Sequence, residues 1–252
     1  LLNYSKVIIF LCLAAATAGF FDAIAGGGGL IQLPALLVGL NKSSVVEVLG
    51  TNKFAAIFGT ANAANRYRKG VAIDKKLLIK MALPAFLGSM GGAQLASHVP
   101  TKQMRVVVLI ALIAIAIYTA LNPKIGHEES ATQSKWIPSI AGLAIGFYDG
   151  IFGPGTGTFL MAVLVGLLGY SFLSASAIAK FTNVATNLAA LLIFAKHGAI
   201  LWGIGIALAI SNVIGSTIGS HMAIKGGSPL VRKVFLFMTT LLIAKVGYDV
   251  IK

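Results

Sequence analysis

Acidic residues are scarce in this 252-residue chain: Asp and Glu number 7 against 20 Lys and Arg, a formal net charge of +13. Charge of either sign is thin, at 11% of residues, while 57% are hydrophobic and the mean hydropathy is +0.89. A soluble domain of this length cannot enclose so much apolar surface, so lipid must solvate the outside. The single cysteine, Cys12, excludes an intrachain disulfide and gives no sign of an oxidising compartment or of redox chemistry. The histidines, His98, His127, His197 and His221, form no i, i+4 pair and have no cysteine neighbour, which argues against a metal site. No Gly-Lys-Ser/Thr follows a glycine run and no nucleophile elbow occurs, so neither ATP hydrolysis nor other catalysis is supported, and no cofactor is expected. The basic excess lies in short loops, at Arg66, Arg68, Lys69, Lys75, Lys76 and Lys80 and again at Lys225, Arg232 and Lys233. That distribution fits the positive-inside rule and not nucleic-acid binding, which needs a basic face with interleaved aromatics.

What the chain does have is apolar runs. A helix crossing the hydrocarbon core needs about 20 apolar residues. Candidates are 5–25, 44–65, 76–97, 104–121, 136–152, 159–169, 174–195, 200–223 and 233–251, several of them short or broken. The first continues past Gly19 to Gly29 into Leu30 to Leu40 and has a counterpart later in the chain, so it reads as structure and not as a cleaved signal. The expected class is an all-α polytopic membrane protein.

Asp22 in Gly19-Phe20-Phe21-Asp22-Ala23-Ile24 has an echo in Asp149 of Gly146-Phe147-Tyr148-Asp149-Gly150-Ile151, at an interval of 149 − 22 = 127. The same interval relates Gly26 to Gly153, Gly28 to Gly155, Lys53 to Lys180, Phe54 to Phe181, Gly88 to Gly215, Gly92 to Gly219 and Arg105 to Arg232. An ancestral unit of half the length, duplicated and joined, accounts for the pattern. The expected organisation is a first transmembrane repeat over 1–121, a polar linker over 122–135 with Glu128 and Glu129 in water, and a second repeat over 136–252. An even count of long spans per half would leave the repeats parallel. The basic residues, however, fall in non-equivalent loops, which favours inverted repeats, with half-helices at the glycine breaks supplying the odd crossing.

Each half is expected to have a helix ending in a glycine-rich break, a short apolar segment, a second break around a lysine, and two longer helices. Gly26-Gly27-Gly28-Gly29 and Gly153-Pro154-Gly155-Thr156-Gly157 interrupt helices, and their backbone groups must face protein or water. Helix-start amides at such breaks suit an anion, although glycine runs also serve close packing. Lys53 and Lys180 lie inside apolar stretches, where a cation needs a partner or an aqueous cavity; they read as two cationic walls for an anion, against the plainer reading of interfacial snorkelling. Thr51, Asn52, Thr182 and Asn183 would add neutral hydrogen bonds. Asp22 and Asp149 are candidates for proton coupling or for lysine counter-ions, or else simple caps. Gly88-Ser89-Met90-Gly91-Gly92 and Gly215-Ser216-Thr217-Ile218-Gly219 fit close helix packing; Gln94 and His221 follow at the same interval as candidates to face a cavity, against the plainer reading of the histidine as interfacial.

On Gly19 to Gly29 with the following Pro34, the echo at Gly146 to Gly157, Thr51-Asn52-Lys53-Phe54 and Lys180-Phe181-Thr182-Asn183, the chain resembles the TauE/SafE family of membrane permeases, which includes sulfite exporters. The resemblance spans nearly the whole chain and implies a multi-pass permease of the cytoplasmic membrane for small sulfur oxyanions, sulfite or an organosulfonate such as sulfoacetate, moved outward. Pro154, Thr156 and Thr158 set the second glycine run apart from the first.

The reading is thus a carrier that binds a small oxyanion between its halves and rocks one half against the other, with no metal and no nucleic-acid partner. A passive anion channel and a non-transporting scaffold subunit are the competing expectations.

Overall fold

The computed structural model describes residues 4–96, 126 and 135–251. The 104–121 stretch, nearly all of the linker with Glu128 and Glu129, Arg105, His98 and His127 lie outside the described residues. The rest is helical: α1 (Tyr4–Ala25), α2 (Gly29–Gly39), α3 (Val45–Gly70), α4 (Lys75–Leu95), α5 (Ile137–Ile151), α6 (Thr156–Gly166), α7 (Phe172–Lys196) and α8 (Trp202–Ile251). α8 is two helical segments meeting at Gly227, whose φ of 62° no helix can carry, with Pro229 starting the second. Three of these helices are long and apolar enough to cross a membrane: Ser5–Ala25, Phe172–Lys196 and Trp202–Ala244.

The 127-residue interval holds for the helices themselves. α2 at Gly29–Gly39 is matched by α6 at Thr156–Gly166, and α3 and α4 begin 127 residues before α7 and α8. Serine caps recur with it: Ser44 Oγ accepts from Glu47 N at 3.2 Å to start α3, and Ser171 Oγ accepts from Ser174 N at 3.2 Å to start α7. Glu47 closes a capping box by accepting from Ser44 N at 2.8 Å. No second break surrounds the lysines. α3 runs unbroken through Lys53 and α7 through Lys180, because the chain turns earlier, at 40–44 and 167–171, where Gly169 takes a φ of 72°.

α3 and α7 run in opposite directions. Gly70 at the end of α3 packs against Ile224 near the α8 kink, the Tyr170 hydroxyl donates to Asp74 at 2.9 Å, and Leu173 N donates to Ser228 at 3.3 Å. These contacts put the end of α3 and the starts of α4 and α7 on one face. The end of α7 lies on the other, where Leu201 N donates to Thr51 near the start of α3. The 66–80 and 225–233 basic clusters therefore share a face.

The halves also exchange helices. α1 lies along the first segment of α8, with Gly215 and Gly219 against the Ala16 and Phe20 carbonyls, and α5 lies along α4, with Gly142 and Gly146 against those of Met81 and Ala85. A Cβ at any of these glycines would collide with backbone, so close approach is what the small residues provide. Two packed groups result, α1, α2, α3 and the first segment of α8, and α4, α5, α6 and α7, joined by an extensive α3–α7 contact. Each takes three helices from one half and one from the other.

Candidate functional site

α2 and α6 are 11 residues each. That length is about 16 Å, or half of a hydrocarbon core of about 30 Å. The breaks that precede them meet backbone to backbone: a Cβ on Gly26 would lie 2.5 Å from the carbonyl carbon of Gly157. Gly26 and Gly27 take φ of 80° and 90°, Gly153 and Gly155 take 90° and 85°. Because the second left-handed residue is 155 and not 154, Pro154 keeps its fixed negative φ.

Around this crossing is a buried polar cavity of about 40 Å³. Its wall includes Asp22, Gly27, Gly28, Gly29, Asn52, Lys53, Asp149, Gly153, Gly155, Thr156, Gly157 and Asn183. The larger crevices among those described lie elsewhere, one of them purely apolar between Phe54, Phe58 and Ile210, where lipid chains belong.

Both lysines are buried and each is paired with the aspartate of the other half. Lys53 Nζ is 2.7 Å from Asp149 Oδ2, and Lys180 Nζ is 3.0 Å from Asp22 Oδ2. Desolvation explains the pairing, since an unpaired buried ion would cost several kcal/mol. Both pairs bridge the two four-helix bodies, α3 to α5 and α7 to α1. Lys180 Nζ also donates to the Asp22 carbonyl, Tyr67 Oη donates to Ala23 O at 2.9 Å, and Ser176 Oγ donates to Ile24 O at 2.7 Å. The C-terminal carbonyls of α1 are thus held by α3 and α7, with a cation at the negative end of the helix dipole.

The break amides are unequally placed. At α2, Leu30 N donates to Gly27 O, Ile31 N and Gln32 N donate to Gly28 O, and Gly28 N lies 3.3 Å from Asp22 Oδ1, so that first turn is largely spent on the chain itself. At α6, Thr156 N donates to Gly153 O and Phe159 N to Gly155 O; Gly157, between them, faces the cavity beside Lys180 Nζ and Asn183 Nδ2.

Four of the residues expected in the wall stand elsewhere. Thr51 Oγ1 accepts from Leu201 N at 3.0 Å and Thr182 Oγ1 donates to Ile178 O at 3.1 Å, both structural bonds. Gly26 makes the backbone crossing, and Lys180 lies just behind Gly157. Gln94 and His221 point outward from exposed positions, and His197 bonds Ile193 O at 2.9 Å at the end of α7.

The wall also contains residues that sequence reasoning missed: Gln32, Ala56, Thr60, Asn187 and Asn212. Positions 52, 56 and 60 on α3 and 183 and 187 on α7 are spaced one turn apart, and 56 and 60 are the matches of 183 and 187. Polar residues one helical turn apart, Asn52 and Thr60 on α3 and Asn183 and Asn187 on α7, were the available signal, although only Thr60 and Asn187 are polar at matching positions. Gln32 is 2% exposed; its Oε1 accepts from Asn212 Nδ2 at 2.8 Å while its Nε2 has no partner. Asn212 fits only because Gly59 and Gly19 leave room for it. Asn52 Oδ1 and Asn183 Oδ1 are likewise buried and unpartnered.

Paired half-helices whose glycine breaks meet at a buried polar cavity inside a lipid-solvated helical bundle define a membrane transporter. The chain belongs to the sulfite exporter TauE/SafE family, whose model matches residues 11–246. It is 36% identical over 247 residues to the probable membrane transporter protein ORF9 of Sinorhizobium sp, covering 96% of this chain and 93% of that protein. It is 36% identical to the probable membrane transporter protein YfcA of Escherichia coli K12, covering 95% of this chain and 89% of that one. A probable membrane transporter protein of Haemophilus influenzae is 34% identical over 92% of this chain and 91% of its own length. No solved structure matches the chain.

Proposed function

We propose that the protein is a multi-pass carrier of the cytoplasmic membrane that exports a small sulfur oxyanion, with sulfite as the leading substrate, by alternating access. The observation that carries this reading is the crossing of two glycine breaks at one buried polar cavity, with Lys53 in its wall and Lys180 behind it. Lys53, Gly157, Gln32, Asn52 and Asn183 hold the oxygens; Thr51 and Thr182 support the helices instead. A cavity of about 40 Å³ has room for about three water molecules, which favours sulfite over the bulkier sulfoacetate. The basic face faces the cytoplasm, and the antiparallel course of α3 and α7 supports an inverted pair of repeats. The rocking bodies are the two helix-exchanged units, because separating the sequence halves would strip α1 from α8 and α5 from α4. One of Asp22 and Asp149 couples transport to protons.

The test is sulfite flux in reconstituted vesicles. Lys53→Ala and Lys180→Ala should each abolish it, and flux should saturate and run uphill when a gradient is supplied. Unchanged flux in the double variant refutes the site, and non-saturating flux that never runs uphill establishes a channel instead.

A further inference from the structure

The two ion pairs, matched in sequence, are not matched in chemistry. Asp149 is braced: its Oδ1 lies 2.6 Å from Thr156 Oγ1, its Oδ2 is 2.7 Å from Lys53, and 5% of its side chain is exposed. Asp22 is not. The residue 127 positions before Thr156 is Gly29, which has no hydroxyl, and the Asp22 side chain is 21% exposed with only a long 3.3 Å bond from Gly28 N beyond its lysine.

Charge sharpens the difference. Two carboxylates, Asp22 and Asp149, and one ammonium, Lys53, stand in the cavity wall, with Lys180 just behind it. Counted together the four cancel, so an anion gains no net attraction until one carboxylate is neutralised. The titratable and charged groups around Asp22 are Lys180 of α7, Lys53 and Tyr67 of α3, and Asp149 of α5; α2, α6 and α8 bring neutral Gln32, Thr156 and Asn212. Lys180 does not depend on the Asp22 carboxylate for its position, because it also donates to the Asp22 carbonyl.

Resting on the oxyanion-carrier reading, we infer that Asp22 is the proton-accepting group and that Lys53–Asp149–Thr156 is a fixed strut. Asp22 takes a proton from the aqueous side, its bond with Lys180 changes from ionic to neutral, and the released charge of Lys180 acts through Gly157 on the entering anion. Release of the anion returns the proton to water and restores the pair. The proton and the anion therefore move together.

Titration calorimetry of purified protein with sulfite, in alkaline buffers of differing ionisation enthalpy, reads this directly. The wild type should take up about one proton per anion, and its affinity should fall about tenfold per pH unit. Asp22→Asn should bind with no uptake and no pH dependence, while Asp22→Glu, which keeps a carboxyl, should retain uptake. Infrared difference spectra of sulfite-loaded against free protein should show a protonated-carboxyl band in the wild type but not in Asp22→Asn. If Asp22→Asn does not fold, the Asp22→Glu affinity profile and a displaced band decide: an unchanged profile and an unmoved band overturn the assignment. Sulfite binding without proton uptake in the wild type overturns the coupling and leaves the carrier reading intact; no sulfite binding at all removes both.

Discussion

Lys53 on α3 and Asp149 on α5 stand 2.7 Å apart, from different halves of the chain and from different packed bodies. The Lys180–Asp22 pair repeats the relation with the halves reversed. Two duplicated charges that never pair within their own half are evidence of how the halves interlock.

Removing one member of the Lys53–Asp149 pair leaves a buried charge uncompensated, with an expected loss of about 3–5 kcal/mol. Removing both in a Lys53→Met, Asp149→Asn double variant should lose much less. Thermal unfolding in detergent across the double-mutant cycle checks the coupling, and additive losses would contradict the buried pair.

Gly157→Ala should destabilise the protein more than an alanine on an exposed helix face, because the added Cβ would sit 2.7 Å from Gly26 Cα. The expected cost is about 1–3 kcal/mol, read as a lowered apparent melting temperature. Gly203→Ala, where the added carbon meets nothing within 4 Å, is the control.

Gln32→Leu removes the one amide donor in α2 that is buried without a partner. It should weaken sulfite binding about 5- to 30-fold, the loss of about 1–2 kcal/mol of hydrogen bonding to an anion, with the fold intact. A binding isotherm that matches wild type would place the oxyanion elsewhere.

Asp74 caps α4 on the basic face. The Leu77 backbone amide foremost, and then the Tyr170 hydroxyl and the Lys76 amide, hold its carboxyl below the usual aspartate range. A depressed folded pKa means the contribution is fully present above the unfolded value of about 3.9 and is lost as pH falls through the lower folded value. Asp74→Ala should therefore be less stable than wild type at neutral pH by about 1 kcal/mol, with the gap closing in acid. A gap that stays constant down to low pH would show that the carboxylate is not the stabilising form.

Hydropathy placed α1, α3, α4, α5 and α7 to within a few residues, because a run long enough to span lipid is a one-dimensional property. α6 begins three residues before its apolar run, at Thr156, since the helix starts where Gly155 turns the backbone and not where hydrophobicity rises. The second break expected around each lysine is absent for a related reason. Lys53 and Lys180 are tolerated mid-helix once a carboxylate from another helix neutralises them, and no local rule can see that partner.

Sequence alone determined the lipid-solvated class, the residues that recur at an interval of 127, the two glycine interruptions and the identity of the four charges that pair at the cavity, since each is fixed by composition or spacing along the chain. Tertiary structure alone decided which lysine meets which aspartate, that Gln32 and Asn212 share the wall with Asn183, and that Thr51 and Thr182 do not. It also decided that α1 packs with α8 and α5 with α4. Most of those outcomes depend on contacts between residues 61 to 199 positions apart, where backbones approach closely only because glycines let them, and nothing within a single helix encodes the distance to the next.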